Sequence, residues 1–224
     1  MFKIKLYCTV FLLSILCACG NGENKKAEGE SADSLKVKNL TSKKNILIFG
    51  DSLTAGLGVE PEEAFPAIIG NKIDSLKLPY QVINAGLSGE TSAAGKARVD
   101  WLLNEKVDIF VLELGANDGL RGIPVSETRK NLQSIIDQVK AKYPEAKLVM
   151  TGMEVPPNMG SKYASEFRVI FPELAKKNNM LLVPFLLDKV GGVPELNQQD
   201  GIHPTPEGHK IVAENVWLVL KDIL

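Results

Sequence analysis

The chain has 224 residues, of which 45% are hydrophobic and 24% are charged, a composition typical of one globular domain with a full core. Its formal net charge of -1 gives no electrostatic basis for binding nucleic acid, so we expect no nucleic-acid partner. After the first segment, no apolar run reaches the roughly 20 residues that a transmembrane helix needs.

The first 19 residues have the pattern of an export signal. A short basic region precedes residues 6–16, which are apolar but too few to span a bilayer. Residues 16–20, Leu-Cys-Ala-Cys-Gly, resemble the lipobox of bacterial lipoprotein signals, which implies lipidation of Cys19. Ordinary secretory cleavage after Ala18 is the alternative. We therefore expect an exported, membrane-anchored lipoprotein, with a soluble periplasmic protein as the alternative.

The segment behind this signal differs from the rest of the chain. Residues 20–44 are rich in Gly, Asn, Lys, Glu and Ser, and they cannot bury enough apolar surface to offset the entropy of ordering. We expect a flexible charged tether here and one folded domain over 45–224. All three cysteines, Cys8, Cys17 and Cys19, precede the domain, which therefore has neither a disulfide framework nor a cysteine nucleophile.

From residue 45 the apolar pattern alternates between strand and helix. Short apolar runs predict five strands at residues 46–49, 81–85, 109–114, 148–150 and 181–183. Apolar residues at helical spacing predict helices at residues 69–76, 91–103, 132–139, 163–174 and 212–223. This alternation indicates a three-layer α/β/α sandwich with a five-stranded parallel sheet.

The first strand runs directly into Gly50-Asp51-Ser52. Such a strand delivers its last residues to the sheet edge where α/β folds bind ligands. A serine hydroxyl there becomes a good nucleophile only when a base takes its proton. The nucleophile-elbow motif G-x-S-x-G is absent, because Thr54 stands two residues after Ser52. By itself, Ser52 is equally consistent with a helix cap.

Gly89 follows the second strand. Glycine there allows a backbone N–H to approach a substrate oxygen closely, although a plain turn of small residues is the alternative. A phosphate-binding loop is excluded by spacing and composition. Five residues separate Gly89 from Gly95 where four are needed, and Ala97 stands where Ser or Thr is required.

Asn117 follows the third strand. Its side-chain NH₂ is suited to donate to an oxyanion, and a turn-forming Asn-Asp pair is the alternative. The neighbouring Glu113 and Asp118 are expected to hold loops rather than to react.

The chain has only two histidines, so few residues can supply an imidazole base. His203 lies in a predicted loop three residues after Asp200, which could accept from one ring nitrogen and leave the other for Ser52. His209 falls in a predicted helix, where we expect a solvated or capping role. A metal site at Asp200, His203 and His209 is a poor alternative, because the ligands are dispersed and lack a cysteine.

Four blocks together resemble the GDSL (SGNH) hydrolases, in the branch of bacterial thioesterase I, lysophospholipase and arylesterase. They are Gly-Asp-Ser at Ser52, Gly-Glu-Thr at Gly89, Gly-Ala-Asn-Asp at Asn117 and Asp-Gly-Ile-His at His203. The resemblance covers nearly all of 45–224 and implies a flavodoxin-like fold. It implies that Ser52 is the nucleophile, His203 the base and Asp200 its orienter. It also implies an oxyanion hole formed by the N–H groups of Ser52 and Gly89 and the amide of Asn117.

The implied reaction is hydrolysis of carboxylic esters or thioesters through an acyl-enzyme, with no metal and no organic cofactor. We expect a monomer acting on a small-molecule or lipid acyl ester, with the membrane contacted only through the anchor. Removal of acetyl groups from carbohydrate is the rival activity. A non-catalytic, lipid-anchored binding module is the rival from another class.

In the resembling group, the loop after the Asn block shapes the acyl site. Here this loop covers residues 119–124, so Leu120, Arg121 and Ile123 are candidate substrate contacts, with simple loop packing as the alternative. Residues 154–160 are rich in proline and form a second candidate wall, which includes Pro156.

Overall fold

The computed structural model describes residues 43–224. The predicted export signal, the lipidation at Cys19 and nearly all of the predicted tether lie outside these residues. The domain has five strands: β1 Lys44–Gly50, β2 Tyr80–Gly86, β3 Ile109–Glu113, β4 Lys147–Thr151 and β5 Leu181–Val183. They form one parallel sheet in the order β2-β1-β3-β4-β5, the flavodoxin-like order. The predicted fold class is confirmed.

Eight α-helices connect and follow the strands over residues 43–224. They are α1 Ser52–Ala55, α2 Phe65–Ser75, α3 Ser92–Leu102, α4 Ala116–Leu120, α5 Val125–Lys142, α6 Ser161–Arg168, α7 Ile170–Asn178 and α8 Pro206–Leu220. One helical layer pairs α2 with α8, and the other joins α3, α5 and α7. None of the helices in this part of the chain combines the length and the apolar character that crossing a membrane requires.

The central strands are buried because helices cover the sheet on both faces. All five residues of β3 are buried, and so are the last five of β1. Continuous apolar runs are what such doubly covered parallel strands need. The exception is Glu113, the last residue of β3, which places a carboxyl group inside the core at the carboxyl edge of the sheet.

The sequence predicted one helix over residues 163–174, and the structure has two. The helix α6 ends at Arg168 and α7 begins at Ile170, with Val169 between them. Pro172 explains the break, because proline has no N–H and its ring crowds the carbonyl four residues earlier, that of Arg168.

Candidate active site

The parallel pairing of β1 with its two neighbours brings three chain segments to the same edge of the sheet. Gly50 at the end of β1 lies opposite Gly86 of β2 and Glu113 of β3. Ser52, Gly89 and Asn117 follow these positions by a few residues each, so they line one wall. The loop before α8 brings His203 to the same place.

Ser52, His203 and Asp200 form a continuous hydrogen-bonded chain. The Ser52 Oγ lies 2.9 Å from His203 Nε2, and His203 Nδ1 lies 2.6 Å from Asp200 Oδ2. An ionised carboxylate only accepts hydrogen bonds, so Nδ1 carries the ring proton and donates it to Asp200. The lone pair of Nε2 then faces the Ser52 hydroxyl, which is the arrangement that proton removal requires.

Asp200 also fixes the loop that carries the imidazole. Its Oδ1 accepts hydrogen bonds from the backbone N–H groups of Ile202 and His203, each at 3.0 Å. Burial opposes ionisation of this carboxyl, but these bonds and the one from the imidazole outweigh it and lower the pKa of Asp200 to about 2. Asp200 therefore remains ionised at neutral pH.

The nucleophile candidate sits at the first residue of the short helix α1. Asp51 caps this helix, since its Oδ1 accepts from the Leu53 N–H at 3.0 Å. The cap holds the turn that follows β1, and Ser52 lines a cavity there. The sequence assigned no role to Asp51.

Three N–H donors lie on the wall beside Ser52. The backbone N–H groups of Ser52 and Gly89 donate no hydrogen bond to any residue within 43–224. Gly89 has a φ of +79°, a left-handed conformation that favours glycine. Asn117 lies in α4, not in the turn that was the alternative, and its Nδ2 donates to Asp51 Oδ2 at 3.1 Å. The second N–H of that amide remains for a ligand oxygen.

The Gly89 loop is held by an ion pair that the sequence analysis missed. Glu90 is buried, and its Oε1 accepts from Arg98 Nε at 2.6 Å. The same guanidinium donates to the Ala85 carbonyl at 2.8 Å and lies over the Phe49 ring. Glu90 and Arg98 are eight residues apart on different elements, so no local spacing rule indicates their contact.

Glu113 and Asp118 hold loops, as expected. Glu113 Oε2 accepts from the Asp51 N–H at 3.1 Å and from the Thr54 hydroxyl at 2.8 Å. Asp118 accepts from the Ser92 N–H at 2.8 Å and from the Thr128 hydroxyl on α5 at 3.2 Å. These bonds tie the turns after β1 and β2 to the end of β3.

Glu113 and Asp51 form a buried carboxyl pair under the nucleophile. Burial raises the pKa of Asp51 to about 6. Burial, together with the Asp51 charge, raises the pKa of Glu113 well above its ordinary value, which favours its neutral form. The Glu113 Oε1 has no partner among the described residues, which a neutral carboxyl tolerates better than a carboxylate. A Cβ on Gly50 would lie 2.3 Å from Glu113 Oε2, so this contact requires glycine.

A cavity of about 580 Å³ opens beside Ser52. Two of the four predicted substrate contacts, Leu120 and Pro156, line it. The other two do not. Arg121 instead donates to the Gly89 carbonyl at 3.1 Å, and the Ile123 carbonyl accepts from the Tyr163 hydroxyl at 2.7 Å. The sequence interpretation treated residues 119–124 as one wall, whereas Arg121 and Ile123 follow the end of α4 and do not line the cavity.

Further apolar walls come from segments to which the sequence analysis gave no role. Leu57 follows α1, while Phe185 and Leu187 follow β5. The sequence could have indicated these walls, because the loops after parallel strands lie at the carboxyl edge of the sheet and line such sites. Among residues 43–224, no three His, Cys, Asp or Glu side chains are grouped as metal ligands would be.

His209 is not solvated, which was one of the two roles expected for it, but its ring does cap the first N–H of α2. It is 1% exposed, its Nδ1 accepts from the Phe65 N–H at 3.3 Å, and its ring stacks on that of Phe65. Burial lowers the pKa of His209 to about 4. The amphipathic pattern alone did not show that this face of α8 packs against α2.

The chain matches a known protein family over most of its length. The model of the GDSL-like lipase/acylhydrolase family matches residues 48–211. Esterase TesA of Pseudomonas aeruginosa is 39% identical over 180 residues, which cover 80% of this chain and 89% of that protein. Thioesterase 1/protease 1/lysophospholipase L1 of Escherichia coli K12 is 39% identical over 174 residues, which cover 77% of this chain and 80% of that protein.

A solved structure extends the similarity to three dimensions. The psychrotrophic esterase EstA from Pseudoalteromonas sp., inhibited by monoethylphosphonate, matches with a TM-score of 0.76 and 31% identity. The match covers 80% of this chain and 98% of that one.

His209 predicts a specific pH dependence of stability. Its pKa is lowered in the folded state, so the unfolded chain binds a proton first as the pH falls below 6.5, and the free energy of unfolding decreases toward pH 4. The substitution His209→Asn keeps an acceptor for the Phe65 N–H but cannot titrate. Between pH 7 and 4.5, we expect the wild type to lose roughly 2 kcal/mol more than the variant in urea unfolding. Equal losses would contradict this assignment.

Proposed function

This chain belongs to the GDSL-like lipase/acylhydrolase family, and we propose that it hydrolyses carboxylic esters and thioesters with Ser52 as the nucleophile. Membership confirms the resemblance carried by the sequence motifs, and the chain is a serine hydrolase that acts on ester bonds. The observation that supports the role of Ser52 is its 2.9 Å contact with His203, which Asp200 orients in turn.

The first half of the proposed reaction forms an acyl-enzyme. His203 Nε2 takes the hydroxyl proton as the Ser52 oxygen bonds to the substrate carbonyl carbon, and the carbonyl electron pair moves onto its oxygen. The N–H groups of Ser52 and Gly89 and the Asn117 amide stabilise this oxyanion. The tetrahedral intermediate then expels the alcohol or thiol, which receives its proton from the imidazolium.

The second half repeats these steps with water. His203 takes a proton from water as the water oxygen attacks the acyl carbon, and the same three donors hold the new oxyanion. Breaking the bond to Ser52 releases the carboxylic acid and returns the proton to the serine. Asp200 stays ionised throughout and stabilises the imidazolium, in keeping with its lowered pKa.

The nucleophile and base are tested by Ser52→Ala and His203→Ala. Each is expected to reduce kcat for p-nitrophenyl butyrate by at least about 10³-fold, and to a similar extent, because the pair acts as a unit. Fluorophosphonate labelling of the wild type is expected to be lost in Ser52→Ala. His209→Asn is the matched control and retains activity and labelling.

Residual activity above a tenth in Ser52→Ala would point to another nucleophile. Absence of both labelling and hydrolysis in the wild type would favour the non-catalytic binding module, which the filled catalytic positions argue against.

The cavity supports an acyl ester substrate over a carbohydrate acetate. Acetate needs only a small pocket, whereas about 580 Å³ with walls from Leu57, Leu120, Val155 and Phe185 suits a longer acyl chain. We propose a small-molecule or lipid acyl ester as the substrate of a monomeric enzyme, without a metal or an organic cofactor.

A chain-length series of p-nitrophenyl esters tests this preference. We expect kcat/KM to rise from acetate to octanoate, because each buried CH₂ contributes about 0.8 kcal/mol. Leu120→Ser is expected to lower kcat/KM for octanoate about 5-fold and to leave acetate unchanged. Leu218→Ser, on an exposed surface of α8, is the control and changes neither. A preference for acetate would favour the O-acetylesterase.

We also propose that the protein is exported and anchored through a lipid on Cys19, with a soluble periplasmic form as the alternative. The support is the sequence alone: the short basic and apolar regions are followed by Leu-Cys-Ala-Cys-Gly at residues 16–20. An acyl ester of a membrane lipid would then be close to the enzyme.

The anchor is tested by Cys19→Ser in the full chain. The wild type is expected in the membrane fraction, and the variant is expected to lose its lipid label and leave that fraction. Cys8→Ser is the control and stays with the membrane. A wild type recovered without lipid in the soluble fraction would instead indicate ordinary secretory cleavage.

A further inference from the structure

The side-chain amide of Asn117 contacts groups of opposite character at its two ends. Its Nδ2 donates to Asp51 Oδ2 at 3.1 Å, while the guanidinium of Arg121 lies 3.5 Å from its Oδ1. An amide can rotate by half a turn and exchange its oxygen with its nitrogen. One orientation offers an N–H to an oxyanion, and the other offers a carbonyl oxygen that would repel it. The choice between the two determines whether Asn117 can serve as a donor.

We propose that Asp51 is a positioning residue that sets this orientation, so that Asn117 presents an N–H to the oxyanion. The inference rests on the proposed function, in which Asn117 is one of three donors. Asp51 acts through Asn117 and does not itself contact the reacting atoms. Asp51, which directly precedes Ser52 in the Gly-Asp-Ser motif, then has a second role besides capping α1.

Both oxygens of the Asp51 carboxyl are fixed. Oδ1 accepts from the Leu53 N–H at 3.0 Å, which leaves Oδ2 directed at Asn117. The group is completely buried, so water does not compete for either oxygen. As a carboxylate it can only accept, and an acceptor at this point admits only the Nδ2 end of the amide.

The contacts of Asp51 also tie it to the strand that carries Asn117. Its backbone N–H donates to Glu113 Oε2 at 3.1 Å, and Glu113 ends β3, immediately before the turn into α4. The carboxylate and the amide are therefore held at a fixed separation across β1 and β3.

Arg121 reinforces the same orientation from the other end. A guanidinium only donates, so it favours the Oδ1 end of the amide. The same group donates to the Gly89 carbonyl at 3.1 Å, which links two of the three proposed oxyanion donors. This gives Arg121, which does not line the cavity, a supporting role at the site.

Asp51→Asn tests the proposal with little change of shape. To keep capping the Leu53 N–H, the new amide must turn its NH₂ toward Asn117, whose own NH₂ must then rotate away from it. We expect kcat for p-nitrophenyl butyrate to fall about 100-fold, the cost of one oxyanion donor, with KM changed less than about 3-fold. In an Asn117→Ala background, Asp51→Asn should change kcat less than about 3-fold, because the group it orients is absent.

Two further variants keep the test decisive. Asp51→Ser retains a helix-capping oxygen but does not reach Asn117. It should therefore lower kcat when Asn117 is present and have little effect in the Asn117→Ala background. It replaces Asp51→Asn if that variant unfolds. Thr54→Val alters the same turn without touching Asn117 and should have equal effects in both backgrounds. Thermal unfolding checks that each protein is folded.

The outcomes separate this inference from the proposed function. Equal losses from Asp51→Asn in both backgrounds would overturn the positioning role and assign Asp51 to the nucleophile turn alone. An Asn117→Ala variant with unchanged kcat, together with an inactive Ser52→Ala, would overturn the inference but leave the hydrolase intact. Activity in Ser52→Ala would refute the proposed function itself.

Discussion

The site depends first on the parallel register of the three central strands. Gly50 of β1 lies opposite Gly86 of β2 and Glu113 of β3, so three chain segments leave the sheet from one row. Neighbouring strands are about 4.8 Å apart, which is close enough for side chains just beyond that row to meet. The serine follows two residues after its strand, and the other two donors follow three and four residues after theirs. A one-residue slip in either pairing would move the serine away from the donors.

The groups beneath the serine are electrostatically unusual for a protein core. Two carboxyl groups, Asp51 and Glu113, are completely buried beneath the serine. Burying two carboxylates side by side is costly, and burial together with the Asp51 charge raises the pKa of Glu113, which favours its protonated form. Glu113 binds the turn through Thr54 and the Asp51 backbone, while Asp51 orients groups around it. Departures from ordinary burial rules are expected at a functional site.

The sequence predicted what local patterns determine. The ends of all five strands were placed within two residues, because doubly covered parallel strands are continuous apolar runs with turns on either side. It did not predict the break at Val169, because the prediction over residues 163–174 rested on the apolar spacing alone. It also missed the burial of His209, which depends on Phe65, 144 residues earlier in the chain.

The same distinction holds within the site. Ser52 and His203 belong to short motifs, and their approach to 2.9 Å follows from the topology. The contacts that support them, such as Glu90 with Arg98 and Arg121 with Gly89, join different elements, and a charged residue in the sequence does not reveal whether it is solvated or paired. Further cavity walls come from the loops that follow β4 and β5. The loop after β5 also carries His203, whereas the loop after β4 holds neither the serine nor the imidazole. Side chains of the β4 loop, such as Val155 and Pro156, can therefore change the acyl group that fits without changing the geometry that breaks the ester.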